Sequence, residues 1–134
     1  MKRGLTDLEI NEMLRGEAGF QGCFMRNDAR LPQQGCYILN LDEREDPGTH
    51  WTAVYHGEYY DPFGLPPPQR LAHLTYNRVQ HQSMNSHLCG LYCMYYIFQR
   101  NRGVSAYDLS YLWLKRGGNK KELLRWLEQT FGTV

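Results

Sequence analysis

The sequence predicts an α+β fold: a small, mainly antiparallel sheet flanked by helices, with a cysteine at the N-terminus of a central helix. Three observations carry this. Two apolar runs, CYILNL at 36–41 and HWTAVY at 50–55, have the length and composition of buried strands. A His56-Gly57 pair follows the second run and reads as a two-residue hairpin turn. The last third then changes to helical spacing, and strands separated from helices in this way indicate α+β rather than α/β.

In chain order, Thr6 followed by Glu9 has the spacing of a capping box, with Leu5 and Ile10 placed as a hydrophobic staple. A short helix is expected over residues 7–15, ended by Gly16. Residues 16–35 hold four glycines and a Leu-Pro pair, and read as a long loop. After the strand at 36–41, an acidic turn, DEREDPG, leads to the strand at 50–55 and its hairpin partner at 58–61. Pro68 opens a short helix through Leu74, and a last strand is expected over 77–81. Residues 89–100 are apolar almost all round, as a central helix is. Ser105 with Asp108 starts a helix over 106–114. Asn119 with Glu122 starts another, whose buried stripe is Leu123, Leu124, Leu127 and Phe131, and Gly132 stops it.

At 134 residues the chain is expected to be one domain, 1–134, with 42% hydrophobic and 22% charged residues as in ordinary globular proteins. A net charge of +1 argues against a dominant nucleic-acid function. No apolar run approaches the ~20 residues of a membrane span. The basic start is not followed by the apolar segment of a secretory signal, so an intracellular location, reduced cysteines and a monomer are expected.

Cys89 is where chemistry enters. It stands where an irregular segment meets the first turn of a helix, whose N-terminus carries about half a positive charge and favours a thiolate. The other readings of it are a buried small hydrophobe and half of a metal site. Gly90 would leave room for a substrate backbone. A nucleophilic thiolate needs a proton acceptor, and histidine supplies it best. Of the five histidines, His56 lies in the turn and His73 on an exposed helix, while His81 and His87 occupy a loop of unpredictable path. With a His56-Gly57 turn, residue 52 faces residue 61, which puts His50 and Asp61 on one face, diagonal and within reach. That is the relation of a general base to the carboxylate that fixes its tautomer. A lone strand histidine is more often structural, so position alone does not assign it. Zinc is the other class of reading, as a metal-stabilised interaction module. Cys23, Cys36, Cys89 and Cys93 match zinc spacing poorly, and Cys93 reads as core.

Together, His50-Trp51, the Tyr60-Asp61-Pro62-Phe63-Gly64 run, and Gln82, Asn85 and Cys89-Gly90 resemble the adenovirus endopeptidase (adenain) family. They also resemble the wider clan that cleaves ubiquitin-like proteins. The likeness spans roughly residues 5–100, in the order His, Asp, Gln, Cys. It implies a thiol endopeptidase with Cys89 as nucleophile, His50 as base, Asp61 as orienting carboxylate and Gln82 as oxyanion donor, with Trp51 packed on the imidazole. It implies viral precursor proteins as substrates, cleaved at glycine-containing sites, in the host nucleus and virion. The alternative within the clan is a deubiquitinating or deSUMOylating protease. No cofactor is required. The family resemblance also implies an activating peptide or DNA. The family's peptide-binding cysteine between Asp61 and Gln82 is missing, so a peptide would bind without a disulfide. The candidate DNA cluster is Arg100, Arg102, Lys115, Arg116, Lys120, Lys121 and Arg125, for which a solvated helical face is the plainer reading.

Overall fold

The computed structural model describes residues 4–41, 50–82 and 87–132; the acidic turn and Asn85 lie outside them. Helix α1 (Asp7–Leu14) starts with both halves of its capping box: Glu9 N–H donates to Thr6 Oγ1 at 3.2 Å and Thr6 N–H to Glu9 Oε1 at 2.9 Å. Leu5 and Ile10 are buried beside it.

Five strands follow: β1 (Phe20–Met25), β2 (Cys36–Asn40), β3 (Trp51–Tyr55), β4 (Glu58–Tyr60) and β5 (Thr75–Tyr76), in sheet order β1-β2-β3-β4-β5. The centre is antiparallel, as expected, whereas both edges pair in parallel, so the sheet is mixed. Strand β1 lies inside the segment expected to be loop. Gly19 and Gly22 have φ of 76° and 123°, and the register shifts between Phe20 and Cys23. A bulged strand keeps no clean alternation, and parallel pairing leaves no hairpin turn to announce it. Strand β5 is shorter and earlier than expected. Arg78, at φ 57°, breaks it, and the Asn77 side chain turns instead to the backbone of Asp61.

The hairpin is as the sequence indicates. His56 and Gly57 both have positive φ (43° and 84°), the type I′ geometry that suits strand twist. The register pairs Ala53 with Tyr60 and Val54 with Tyr59, so Thr52 faces Asp61.

One sheet face, with Cys36, Ile38, Trp51, Ala53 and Tyr60, packs into the main core against the helices. The other, with Tyr37, Leu39, Val54 and Tyr59, is covered in part by Leu71. Leu71 ends a single 3-10 turn (Gln69–Leu71), where a longer helix was expected. Helix α2 (Cys89–Asn101) crosses the main core, its residues Leu91, Cys93, Met94 and Ile97 almost wholly buried. Gly90 is used differently from the expectation. A Cβ there would stand 3.2 Å from Ile10 Cδ1 and 3.4 Å from Trp51 Cδ1, so its smallness lets α2 approach α1 and β3.

Ser105 caps α3 (Ala106–Asp108) through the Asp108 N–H, and the chain continues as a π-helical turn over Leu109–Trp113. Helix α4 (Lys120–Phe131) ends at Gly132 (φ 84°). Leu123 and Leu127 are its buried positions, with Leu124, Trp126 and Phe131 half-buried against the core. Asn119 does not cap α4 with its side chain; its amide bonds residues 115 and 81 instead. Among the described residues no helix is long and apolar enough to cross a membrane.

Candidate active site

Strand register brings the first pair together. His50 Nε2 lies 2.8 Å from Asp61 Oδ1, across the diagonal that the hairpin dictates. Asp61 is fully buried, and its backbone is gripped by Asn77: Asp61 N–H donates to Asn77 Oδ1 at 3.0 Å, and Asn77 Nδ2 donates to Asp61 O at 2.8 Å. Phe63 N–H donates to the same Asp61 Oδ1 at 2.8 Å, while Oδ2 has no hydrogen-bond partner among the described residues. The ring stacked on the imidazole is Phe63, with centroids 4.4 Å apart and planes 11° from parallel. Trp51, expected there, sits in the core beside Gly90.

The nucleophile candidate arrives on a different element. Cys89 is the first residue of α2, follows a Leu88 that offers no side-chain cap, and is 4% exposed. The first amides of the helix have no intrahelical acceptor, which leaves their positive ends beside the sulfur. Strand β3 holds both cysteines of this helix: Trp51 N–H donates to Cys89 Sγ at 3.4 Å, and Cys93 Sγ–H donates to Trp51 O at 3.3 Å.

His50 also hydrogen-bonds Cys89. Because Nε2 is turned to Asp61, Nδ1 is the nitrogen for the thiol. Burial pulls the His50 pKa down, but hydrogen bonds and charge from Asp61 and Cys89 outweigh it and raise it to about 9. Three thiols have raised pKa values. Burial, with Asp7 nearby, pushes Cys23 up to about 12. Burial and Glu17 push Cys36 up to about 11, and burial raises Cys93 strongly.

A cleft of about 460 Å³ opens beside Cys89, walled by residues 4–7, Met25, Asn40, Trp51 and His87. Gln82, 1% exposed, is reached by another route: its N–H and that of His81 both donate to Pro62 O, at 3.0 and 2.8 Å. Residues 83–86, between Gln82 and Cys89, lie outside the described set.

His50, Asp61 and Cys89 are thus brought together, and Gln82 is tied to the residue after Asp61. His56, His73 and His87 are exposed. Sequence reasoning missed Asn77 and Phe63, which hold the carboxylate and the imidazole; Phe63 stands in the Asp-Pro-Phe-Gly run, whereas no spacing along the chain marks Asn77. Among the described residues no group of three or more His, Cys, Asp or Glu is placed to hold a metal. In the basic cluster, Arg100 binds Glu58 (2.6 Å) and Arg102 binds Glu17 (2.7 Å), so two of its seven cations already have acidic partners.

No family model and no curated protein sequence matches the chain. Among solved structures, its fold is similar to that of the ASFV pS273R protease, seen in a crystal structure with selenomethionine, at TM-score 0.51 and 20% identity. The match covers 74% of this chain and 44% of that one, so this chain spans less than half of that protease's length. At this identity the likeness is one of fold.

Proposed function

We propose that the chain is a cysteine endopeptidase, with Cys89 as nucleophile, His50 as acid and base, Asp61 as the orienting carboxylate and Gln82 as an oxyanion donor. The observation that carries this reading is His50 itself. It is bonded to a buried carboxylate on one side and to a thiol at a helix N-terminus on the other, and its pKa is raised by both. An imidazole beside a thiol is the arrangement that nucleophilic catalysis by cysteine needs. The fold shared with a viral protease adds support.

The reaction follows from the pair. The Cys89 thiolate adds to a peptide carbonyl, and the oxygen takes the negative charge. The Cys89 backbone N–H and the Gln82 carboxamide would stabilise that oxygen, since donors preorganised at developing charge are a large catalytic term. His50 passes its proton to the leaving amine as the C–N bond breaks and a thioester remains. Water then adds to the thioester, its proton goes to His50, and the acid leaves as the thiolate reforms.

The finer reading is of adenain type, acting on protein precursors at glycine-containing sites. What supports it is the low exposure of Cys89 (4%), since a substrate residue without a side chain comes nearest to a buried sulfur.

Two measurements test the reading. Iodoacetamide at pH 6–7 should label Cys89 well before Cys23, Cys36 and Cys93, whose pKa values are all raised. Equal labelling by mass spectrometry would count against a catalytic thiolate. Cys89→Ala should fold normally and cleave nothing in a library of glycine-containing peptides and ubiquitin-like fusions, whereas the parent chain cleaves a subset.

A further inference from the structure

A buried histidine lies beside the proposed machinery, unused by the chemistry above. His81 is 0% exposed and directly precedes Gln82. Its Nε2 stands 2.8 Å from the carbonyl of Ser110, and its Nδ1 stands 2.9 Å from the hydroxyl of Tyr60. A carbonyl only accepts, so Nε2 carries the hydrogen and Nδ1 accepts from Tyr60. The tautomer is therefore dictated by its partners.

The acceptor is supplied by the π-helical turn. There Leu114 N–H donates to Leu109 O at 2.9 Å, and Lys115 N–H leaves the helix for Asn119 Oδ1 at 2.8 Å. The Ser110 carbonyl is thereby left to the imidazole. π-Turns inside helices often accompany functional sites. The backbone of His81 is held as tightly as its ring. Its carbonyl receives Tyr92 Oη–H, Asn119 Nδ2–H and Gly117 N–H, each at 3.1 Å. Its N–H, with that of Gln82, converges on Pro62 O, and Gln80 Nε2 donates to Gln82 O at 2.9 Å. A loop that only connected two elements would not need every polar group of one residue engaged.

We propose that His81 is a positioning residue: as its neutral Nε2–H tautomer it locks the peptide that carries Gln82 against Pro62, one residue from Asp61. The oxyanion donor and the base-orienting carboxylate are then set from one point of the chain. His81 touches no reacting atom and acts through Gln82. The inference rests on the oxyanion role of Gln82.

The test is a double-mutant cycle on the full chain, with the best glycine-containing peptide substrate as probe. His81→Leu should lower kcat roughly tenfold or more with KM little changed, part of the 10²–10³ expected for losing an oxyanion donor outright. His81→Gln, whose amide reaches Ser110 as Nε2 does, should restore much of it. Tyr60→Phe keeps the ring stacked on Tyr96 and removes only the donor to Nδ1, so it remains informative if His81→Leu does not fold; it should lower kcat several-fold. In the Gln82→Ala background none of these should lower kcat further, because groups acting as one unit are non-additive. The rate of Cys89 alkylation, which forms no oxyanion, should hold throughout. If His81→Leu and Tyr60→Phe cost the same factor with and without Gln82, His81 is merely structural and the proposal falls. If Gln82→Ala alone leaves kcat intact while Cys89→Ala is dead, the oxyanion assignment fails and takes this inference with it. Turnover by Cys89→Ala would defeat the protease reading itself.

Discussion

A half-buried histidine, His50, and a fully buried one, His81, both touch the Asp61-Pro62-Phe63 stretch, and their surroundings push them in opposite directions. Burial lowers the pKa of both. His50 meets a carboxylate and a thiol, and ends raised to about 9. His81 meets a hydroxyl and a carbonyl, whose hydrogen bond only partly offsets burial, and ends lowered. Desolvation is common to the two sites, so the charge of the partner decides which way each imidazole is shifted.

The contrast breaks most visibly when the charged side is removed. His50→Ala should lower kcat by roughly 10²–10⁴, the range for a lost acid–base group, measured with the same peptide that Cys89→Ala leaves uncut. Less than a tenfold fall would mean that another group moves the proton.

Asp61→Asn should make His50 more like His81. Its pKa should drop from about 9 toward its ordinary value, read by NMR of the ring protons. Turnover should fall roughly tenfold or more, because the imidazolium loses its counter-charge. The new amide nitrogen would take the place of Oδ2, which is buried with no hydrogen-bond partner among the described residues, so some stability is lost as well. In the parent chain the alkaline limb of kcat/KM should lie near pH 9, and in Asp61→Asn it should move down. A limb that stayed in place would dissociate Asp61 from the base.

Stability against pH separates the two histidines more gently. His50 is raised above its unfolded value, so its stabilising contribution is complete below about pH 6.5 and lost as pH rises through about 9. His81 is lowered, so its contribution is complete above about pH 6.5 and fades as pH falls toward its folded pKa. Melting temperatures across pH should show His81→Gln flattening the acid side and Asp61→Asn the alkaline side. The reverse pattern would exchange the two roles. At the small end, His73, exposed and away from both corners, should change stability by no more than about 0.5 kcal/mol on substitution by Ala, with kcat unaltered.

What the sequence could express depended on how local each feature is. The hairpin is written in two residues, and its register carried His50 to Asp61 without further information. The start of α2 is written in the change from a polar segment to Leu91, Tyr92 and Cys93. Strand β1 was invisible because its partner runs parallel to it and its own pattern is broken at Gly22. β5 was displaced because the Asn77 side chain takes up the Asp61 backbone just where the strand stops. His81 sat on a segment of unknown path. Its meaning depends on a π-turn near residue 110, on Tyr60 and on Asn119, and no spacing along the chain encodes that meeting. The role of Gly90 was misjudged for the same reason: the atoms that need its space, on Ile10 and Trp51, come from elements far away in sequence.

The tight hairpin has a consequence for the order of assembly. His50 and Asp61 are 11 residues apart, whereas Trp51 and Cys89 are 38 apart. Closing the shorter loop costs less chain entropy, and contacts of low sequence separation form sooner. The β2–β3–β4 meander can therefore hold its histidine and carboxylate in register before α2 has docked. The sulfur joins last, when the helix closes over Trp51. A newly made chain would carry the His50–Asp61 pair already in register and no Cys89 beside it until the helix is in place. Pulsed hydrogen exchange would record this as protection of the β3 and β4 amides ahead of those in the first turn of α2.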